Sequence, residues 1–283
     1  MTLAGEVDDR ALHRGAGERS VRPHGRGGLT LACRLLPADV RDDVFLLYGV
    51  LRRVDDLVDE DAADAADRVD ALARWCRGAR PTSSEAEALE ALARRHALPR
   101  DAVADFCRGM EHDLARRPIH TERDLDRYCH RVAGTVGIMV ATMLGTRRPC
   151  LDAAADLGAA IQRTNVLRDV DEDAGRGRVY LASETIARFG APEPGHREGL
   201  VRDQIARADR LYRRGIAGIG GLRRGRWAIA AAAATYREIL RQIERDGYGS
   251  APGRAVVGPA RKAAVATALG LSVSPGFALS GRG

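Results

Sequence analysis

Apolar residues recur along this chain at the three- and four-residue spacing of an α-helix, and no segment alternates apolar and polar residues as a strand would. In the segment that follows Pro37, for example, Val44, Leu47, Tyr48 and Leu51 fall on one helical face. Ala, Leu, Arg and Glu, which are good helix formers, are frequent throughout. The pattern therefore predicts an all-α protein, built as a single-domain helical bundle.

The composition changes towards both ends of the chain and predicts where the helical domain lies. Residues 1–27 are rich in Gly, Arg, His and Asp and contain no apolar run, which indicates a flexible N-terminal tail. We expect the folded domain to span residues 28–270 and a C-terminal tail to span residues 271–283. Within the domain, two long predicted helices cover residues 122–144 and 151–174.

Charge and cysteine content argue against several classes of protein and indicate where in the cell this one works. The formal net charge is +6, but acidic and basic residues are interspersed, so no basic stripe of the kind that binds nucleic acid is evident. The five cysteines form no CxxC pair, which argues against a disulfide framework and a zinc site. We find no secretory signal and no apolar stretch long enough to span a bilayer. The sequence predicts a water-soluble, cytoplasmic protein without a nucleic-acid partner.

Two aspartates near the end of the first predicted helix are a candidate metal site. Asp55 and Asp59 are four residues apart, so a helix places both carboxylates on one face, and Tyr48 and Arg52 lie on the same stripe. Like charges at this spacing repel each other, and a hard divalent cation with oxygen ligands would relieve the repulsion. Taken alone, the pattern is more typical of an acidic helix end that faces water.

A second and longer polar row lies in a later predicted helix. Asn165, Asp169 and Asp173 are spaced at i, i+4 and i+8, and Gln162 sits beside them. Apolar residues occupy the other faces of this segment, so the carboxylates would be enclosed, and enclosed charges need cations. Glycines and two arginines follow at 175–178, and such a segment can fold over a diphosphate. Together, the two rows and the arginine segment predict a cage for Mg²⁺ and diphosphate.

These motifs resemble those of the phytoene/squalene synthase family of head-to-head prenyl transferases. The resemblance covers about residues 28–265 and rests on four segments, at 34–59, 128–137, 162–181 and 236–243. The third segment, which begins QRTNVLRDVDED, is the most specific. The resemblance implies an isoprenoid-synthase-type helical bundle around a deep central cavity. It also implies a Mg²⁺-dependent enzyme that joins two prenyl diphosphates through a cyclopropyl diphosphate intermediate.

The resemblance further implies a role for each matching position. The expected Mg²⁺ ligands, for which Mn²⁺ is an alternative metal, are Asp55, Asp59, Asn165, Asp169 and Asp173. These four aspartates and Tyr128, which matches a tyrosine near the reacting carbons, form the expected catalytic set. The expected substrate-binding residues are Tyr48, Arg52, Gln162, Asn165, Arg168, Arg178, Gly134 and Gly137. Arg254 and Lys262 align loosely with basic residues of the family's last segment, and no nicotinamide cofactor is expected.

Two glycines fall inside the predicted helix 122–144. Gly134 and Gly137 each cost roughly 0.5–1 kcal/mol relative to Ala at such a position. Two interpretations are open, because glycine can leave room for a prenyl tail or allow two helices to pack closely.

Several activities are compatible with the resemblance. The preferred one is phytoene synthesis from two geranylgeranyl diphosphates, and synthesis of squalene or presqualene diphosphate from two farnesyl diphosphates is the first alternative. A related terpene cyclase that acts on one prenyl diphosphate, and a non-catalytic prenyl-lipid binder, are further alternatives. The sequence departs from the family pattern at two places: Gly28-Leu29-Thr30 replaces a Ser-Phe-Tyr-like run, and Ala182 replaces a proline. The first departure removes two aromatic residues and a hydroxyl from an expected pocket wall, and so bears on substrate chain length and product identity. Release of a lipid product would bring the protein into peripheral contact with a membrane.

Overall fold

The computed structural model describes residues 34–146, 149–258, 260–261 and 264–265. No residue in these ranges belongs to a β-strand, which confirms the predicted all-α class. The predicted tails, the segment 28–30 and Lys262 lie outside the described residues. No helix in the described part of the chain combines the length and the apolar character needed to cross a bilayer. The α-helices, numbered here in chain order, are α1 (Ala38–Asp59), α2 (Ala65–Cys76), α3 (Ser84–Arg95), α4 (Arg100–Leu114), α5 (Glu122–Cys129), α6 (Thr135–Leu144), α7 (Pro149–Arg168), α8 (Val170–Gly175), α9 (Ser183–Phe189), α10 (Glu198–Gly218) and α11 (Arg226–Arg245).

Helix α1 forms where the apolar pattern predicts it and carries the first row of acids. Its buried residues include Leu47, Leu51 and Val54, which recur at three- and four-residue intervals on one face. Asp39 in the first turn complements the positive end of the helix dipole. Asp55 lies one turn after Leu51, so the acidic row continues a buried stripe of the helix.

The predicted helix 122–144 is helical throughout but is not a regular α-helix. A capping box begins α5: the Asp124 N–H donates to the Thr121 hydroxyl, and the Thr121 N–H donates to the Asp124 carboxylate, both at 3.1 Å. A π-helical turn at His130–Gly134 then separates α5 from α6. Such a turn shifts the register of the side chains that follow it, and π turns are frequent at functional sites.

The predicted helix 151–174 is kinked at Asp169, which corrects the single straight helix expected from the sequence. Asp169 has φ −104° and ψ 10°, and it separates α7 from α8. Hydrogen bonding still spans the kink, because the Asp169 N–H donates to the Asn165 carbonyl and the Asp173 N–H donates to the Asp169 carbonyl, both at 2.9 Å. The Arg168 guanidinium binds the carboxylate of its immediate neighbour, whereas side chains at i and i+1 face apart in a regular helix. The local departure from helical geometry brings these two neighbouring side chains together.

The helices pack around two hydrophobic clusters, and the two rows of acids come from different clusters. One cluster is built mainly from α1, α2, α3, α4 and α6, and the other from α5, α7, α10 and α11. Val132 in the π turn and Ile229 in α11 pack against both clusters. Helices α1 and α7 therefore approach the junction from different sides, and a cavity lies between them.

Candidate active site

A cavity of about 500 Å³ lies at the junction of the two hydrophobic clusters. Its apolar wall includes Leu51 of α1, Val136 of α6, Ile161 of α7 and Ala232 of α11. Gly134 is the one predicted site residue that lies outside the lining. The structure brings the other predicted residues to this one cavity: Tyr48, Arg52, Asp55, Asp59, Tyr128, Gly137, Gln162, Asn165, Arg168, Asp169, Asp173 and Arg178.

Asp55 and Asp59 of α1 lie close together at the cavity. The Asp55 side chain is 36% exposed and lines the cavity. Burial, together with the negative charge of Asp59, raises the pKa of Asp55 from 3.8 to about 7. Burial also raises the pKa of Asp59, although the positive charge of Arg178 opposes the shift. Two carboxylates that resist ionising side by side favour a bound cation.

Asp169 and Asp173 supply the second row from the other side of the cavity. Asp169 accepts hydrogen bonds from Arg168 (2.8 and 2.5 Å) and forms an ion pair with Arg254 (2.9 Å). Burial raises the pKa of Asp173 to about 6, and repulsion from Asp169 and Asp59 contributes to the shift. Because Asp59 belongs to α1, the two rows are close enough to influence each other's ionisation.

The arginine-containing segment 175–178 follows the second row in sequence and contacts the first row. Arg178 donates to the Asp59 carboxylate (3.2 Å) and to the Val58 carbonyl (3.3 Å), both at the end of α1. It also donates to the Tyr180 hydroxyl (3.1 Å), and Arg176 lines the same cavity. Arg178 thus ties the segment after α8 to α1 and holds guanidinium groups beside the acids.

Tyr128 lies near the end of α5, beside a carboxylate that the sequence analysis missed. Its hydroxyl donates to Asp113 of α4 (3.0 Å), and its ring stacks on Tyr180 with the centroids 5.2 Å apart. Burial raises the pKa of Asp113 to about 7, and the hydrogen bond from Tyr128 opposes this rise. No acid lies three or four residues from Asp113, so no local pattern singled it out. Tyr180 and Tyr236 also line the cavity without having been predicted as site residues.

Asn165 offers an oxygen that the protein leaves unused. Its amide nitrogen donates to Gln162 (3.2 Å), while its buried Oδ1 has no hydrogen-bond partner among the residues that the structure describes. A buried acceptor without a donor is costly, and a cation would satisfy it. Within the described ranges, no three His, Cys, Asp or Glu side chains converge to form a complete metal site. The carboxylate and amide oxygens that line the cavity are of the ligand type that a hard cation prefers.

Glycines allow the backbone of α7 to come into direct contact with the backbone of the π turn and α6. A Cβ on Gly158 would lie 2.7 Å from the Ala133 carbonyl carbon, and a Cβ on Gly137 would lie 3.0 Å from a carbonyl carbon of α7. A Cβ on Gly134 would lie 3.1 Å from the carbonyl oxygen of Ala155 in α7. Close packing, the second of the two interpretations, therefore accounts for Gly134, whereas Gly137 both packs closely and borders the cavity.

Comparison with known proteins agrees with this geometry. The squalene/phytoene synthase family profile matches residues 25–261. The phytoene synthase of Thermus thermophilus is 35% identical over 240 residues, which cover 80% of this chain and 81% of the relative. The 15-cis-phytoene synthase of a Paracoccus species is 35% identical over 245 residues, which cover 79% and 80%. Among solved structures, a dehydrosqualene synthase in complex with ligand matches with a TM-score of 0.78 and 28% identity, over 87% of this chain and 91% of that chain. The chain therefore belongs to the squalene/phytoene synthase family.

Proposed function

We propose that this protein condenses two geranylgeranyl diphosphates head to head into phytoene, through a cyclopropyl diphosphate intermediate. The relatives named as phytoene synthases support this choice of reaction. The observation that carries it is the meeting of two acidic rows over one cavity with an apolar wall. Such a cavity can hold diphosphate groups beside the acids and prenyl tails against the wall.

The charges around the cavity favour a metal-assisted diphosphate site. The lining contains six carboxylates and five guanidinium groups, so the two signs nearly cancel before a substrate enters. A multiply charged diphosphate needs further positive charge, and Mg²⁺ typically binds one or two carboxylates together with substrate phosphates. We propose Mg²⁺ as the metal, with Mn²⁺ as a substitute. The ligands that would hold it are Asp55, Asp59, Asn165, Asp169 and Asp173.

The residues of the chain have separate tasks in this reaction. When bound, Mg²⁺ supplies positive charge that stabilises the departing diphosphate. Arg52, Arg168 and Arg178 donate hydrogen bonds to diphosphate oxygens, because a planar guanidinium can donate two at once. The apolar wall keeps water away from the allylic cations. Tyr128 and Tyr180 present stacked aromatic rings at the cavity, and aromatic faces attract cations.

Condensation of two farnesyl diphosphates is the second candidate, and one observation favours it. The solved structure named as a dehydrosqualene synthase aligns with most of this chain. Both condensations would use the same acidic rows, so the metal site does not distinguish them. The two condensations differ in the length of the prenyl chain that the apolar wall must accept.

Product analysis with labelled substrates tests the proposed reaction. The purified protein is incubated with geranylgeranyl diphosphate or with farnesyl diphosphate, in Mg²⁺ or in EDTA, and the extracted lipids are identified by mass spectrometry. We expect geranylgeranyl diphosphate to give a hydrocarbon of doubled carbon number in Mg²⁺ and none in EDTA. A product with undoubled carbon number would indicate a cyclase, and a clear preference for farnesyl diphosphate would favour the second candidate. No product from either substrate would refute the proposal.

Variants of the acidic rows test the assignment of residues. Asp55→Asn and Asp169→Asn should each lower turnover by at least about a hundredfold and leave the far-UV circular dichroism unchanged. Asp156→Asn is the matched control, because Asp156 of α7 lies outside the cavity lining and pairs with Arg214 (2.6 and 2.9 Å). Its turnover should stay within about twofold of wild type. Unchanged turnover in either acidic-row variant would exclude the catalytic assignment.

We also propose that the protein works in the cytoplasm, in peripheral contact with a membrane that receives its product. Val179, which lies between the cavity residues Arg178 and Tyr180, is 56% exposed and offers an apolar contact beside a cation. Co-sedimentation with lipid vesicles that is unaffected by Val179→Asp would count against this contact.

A further inference from the structure

One arginine outside the cavity has every hydrogen-bond donor engaged. Arg197, which precedes α10 and is 3% exposed, binds both carboxylate oxygens of Asp171 (2.5 and 2.8 Å). Its other donors bind the carbonyls of Pro192 (3.2 Å), Gly249 (3.1 Å) and Ala251 (3.3 Å). A guanidinium carries five N–H donors, so Arg197 has none left for a ligand. Its contacts therefore indicate a role within the protein.

The C-terminal loop, residues 247–254, is fastened by this arginine and its partner. Besides the two carbonyls bound by Arg197, the Gly253 N–H donates to Asp171 (2.7 Å), so one ion pair holds the loop at three points. Gly249 has φ +80°, and a Cβ there would lie 3.0 Å from Arg197 Cζ. The loop backbone thus approaches Arg197 more closely than a residue with a side chain would allow.

The C-terminal loop ends at the cavity. Arg254, which directly follows the anchored segment, forms an ion pair with Asp169 (2.9 Å) and lines the cavity. Asp171 belongs to the same acidic motif but is not part of the lining. The motif therefore has two sides: Asp169 and Asp173 border the cavity, while Asp171 holds the loop that brings Arg254 there.

We propose that Asp171 and Arg197 are positioning residues, which hold the C-terminal loop so that Arg254 reaches the substrate diphosphate. The role of Arg254 in this inference rests on the proposed function. An unanchored loop would lose conformational freedom each time Arg254 bound a diphosphate, and this loss would weaken binding. The anchored loop has already been ordered by folding, so Arg254 meets the ligand at a lower entropic cost.

Binding of inorganic pyrophosphate in Mg²⁺, measured by isothermal titration calorimetry, tests this inference without requiring turnover. Asp171→Asn keeps the size of the side chain and removes its charge, and it should weaken pyrophosphate binding roughly tenfold. Arg254→Gln should weaken it to a similar extent. Because both changes disable the same contact, the double variant should bind no more weakly than Arg254→Gln alone. A merely structural role for Asp171 predicts losses that add.

Two further measurements serve as controls for this comparison of single and double variants. Asp156→Asn removes one charge of another two-bond ion pair, between α7 and α10, and should leave the affinity unchanged alone and in the Arg254→Gln protein. Hydrogen exchange should show faster exchange of the Gly253 amide in Asp171→Asn than in Arg254→Gln. If Asp171→Asn folds poorly, Arg197→Lys carries the same test, because it keeps the charge but loses the five-donor geometry.

The outcomes separate this inference from the proposed function. Additive losses in the double variant, or wild-type affinity in both Asp171→Asn and Arg197→Lys, would overturn the positioning role. A wild-type protein that shows the coupling but makes no prenyl product would refute the proposed function and leave the positioning role in place. A wild-type protein that does not bind pyrophosphate at all would overturn the positioning role.

Discussion

Substituting alanine for Gly158 tests the backbone contact on which the position of α7 depends. Glycine in the middle of a helix normally weakens it, and alanine would normally add about 1 kcal/mol of stability. Here the added Cβ would lie 2.7 Å from the Ala133 carbonyl carbon and 2.9 Å from Gly134 Cα, whereas ordinary contact begins at 3.4 Å. These neighbours are main-chain atoms that cannot rotate away. Helix α7 and the π turn would therefore have to move apart.

The expected net effect of Gly158→Ala is a loss of stability. Overpacking costs about 1–3 kcal/mol, and the upper end applies because no side chain can yield. After the helix-propensity gain of about 1 kcal/mol, the free energy of unfolding should fall by about 2 kcal/mol. Turnover should fall as well, because α7 carries Asn165 and leads to Asp169, which face the acids of α1.

Urea unfolding followed by far-UV circular dichroism gives the free energies, provided that the m value is unchanged. Gly49→Ala is the matched control, since Gly49 lies within α1 and a Cβ there meets no atom of the described residues within 4 Å. The same substitution should therefore stabilise the protein by about 1 kcal/mol at that position. Gly134→Ala should fall between the two, because its Cβ would lie 3.0 and 3.1 Å from its nearest neighbours. A Gly158→Ala protein as stable as wild type would refute the packing argument.

Two further predictions concern buried polar groups. Arg163 is 2% exposed and donates to Glu122 (2.9 Å) and Asp126 (2.7 Å), so Arg163→Met should lower the free energy of unfolding by about 3–5 kcal/mol. A loss near the value of about 1 kcal/mol that is typical of surface ion pairs would contradict this. Tyr128→Phe should cost about 1–3 kcal/mol in metal-free buffer at about pH 8, because the buried Asp113 carboxylate loses its donor. The pKa of Asp113 is raised to about 7, so below that pH the folded protein holds the carboxyl neutral, and the deficit should shrink towards about pH 5. A deficit that is constant over this pH range would count against the assignment.

Local spacing was sufficient to predict most of the helical segments and the two acidic rows, because each depends on residues close together in the sequence. The acids of α1, for example, reach the cavity expected for them. The π turn and the kink at Asp169 were missed for a physical reason. Each lies at a contact that helical periodicity does not describe: the backbone approach at Gly134 and the ion pair of Asp169 with its neighbour Arg168.

Other site residues were beyond local reasoning because their environment is created by packing. Asp113 has no acidic neighbour at helical spacing, and its pKa is raised by burial and by the negative charges of Asp55 and Asp59, which lie on another helix. Arg254 aligns only loosely with a basic residue of the family's last segment, and its place at the cavity depends on contacts of its loop with residues far earlier in the chain. In both cases the informative neighbour lies on another element, so the signal appears only once the helices are assembled.

Asp171 illustrates the boundary between what spacing predicts and what it cannot. Residues two apart on a helix do not share a face, so the geometry that directs Asp169 and Asp173 to the cavity also directs Asp171 away from it. That much follows from the motif alone. The partner does not, because Arg197 and the loop at Gly253 reach Asp171 only through the docking of α10 and α11. A charged residue inside an acidic motif can thus act on the site indirectly, by holding the loop that carries Arg254. Asp171→Asn tests that role and leaves the acids that line the cavity unchanged.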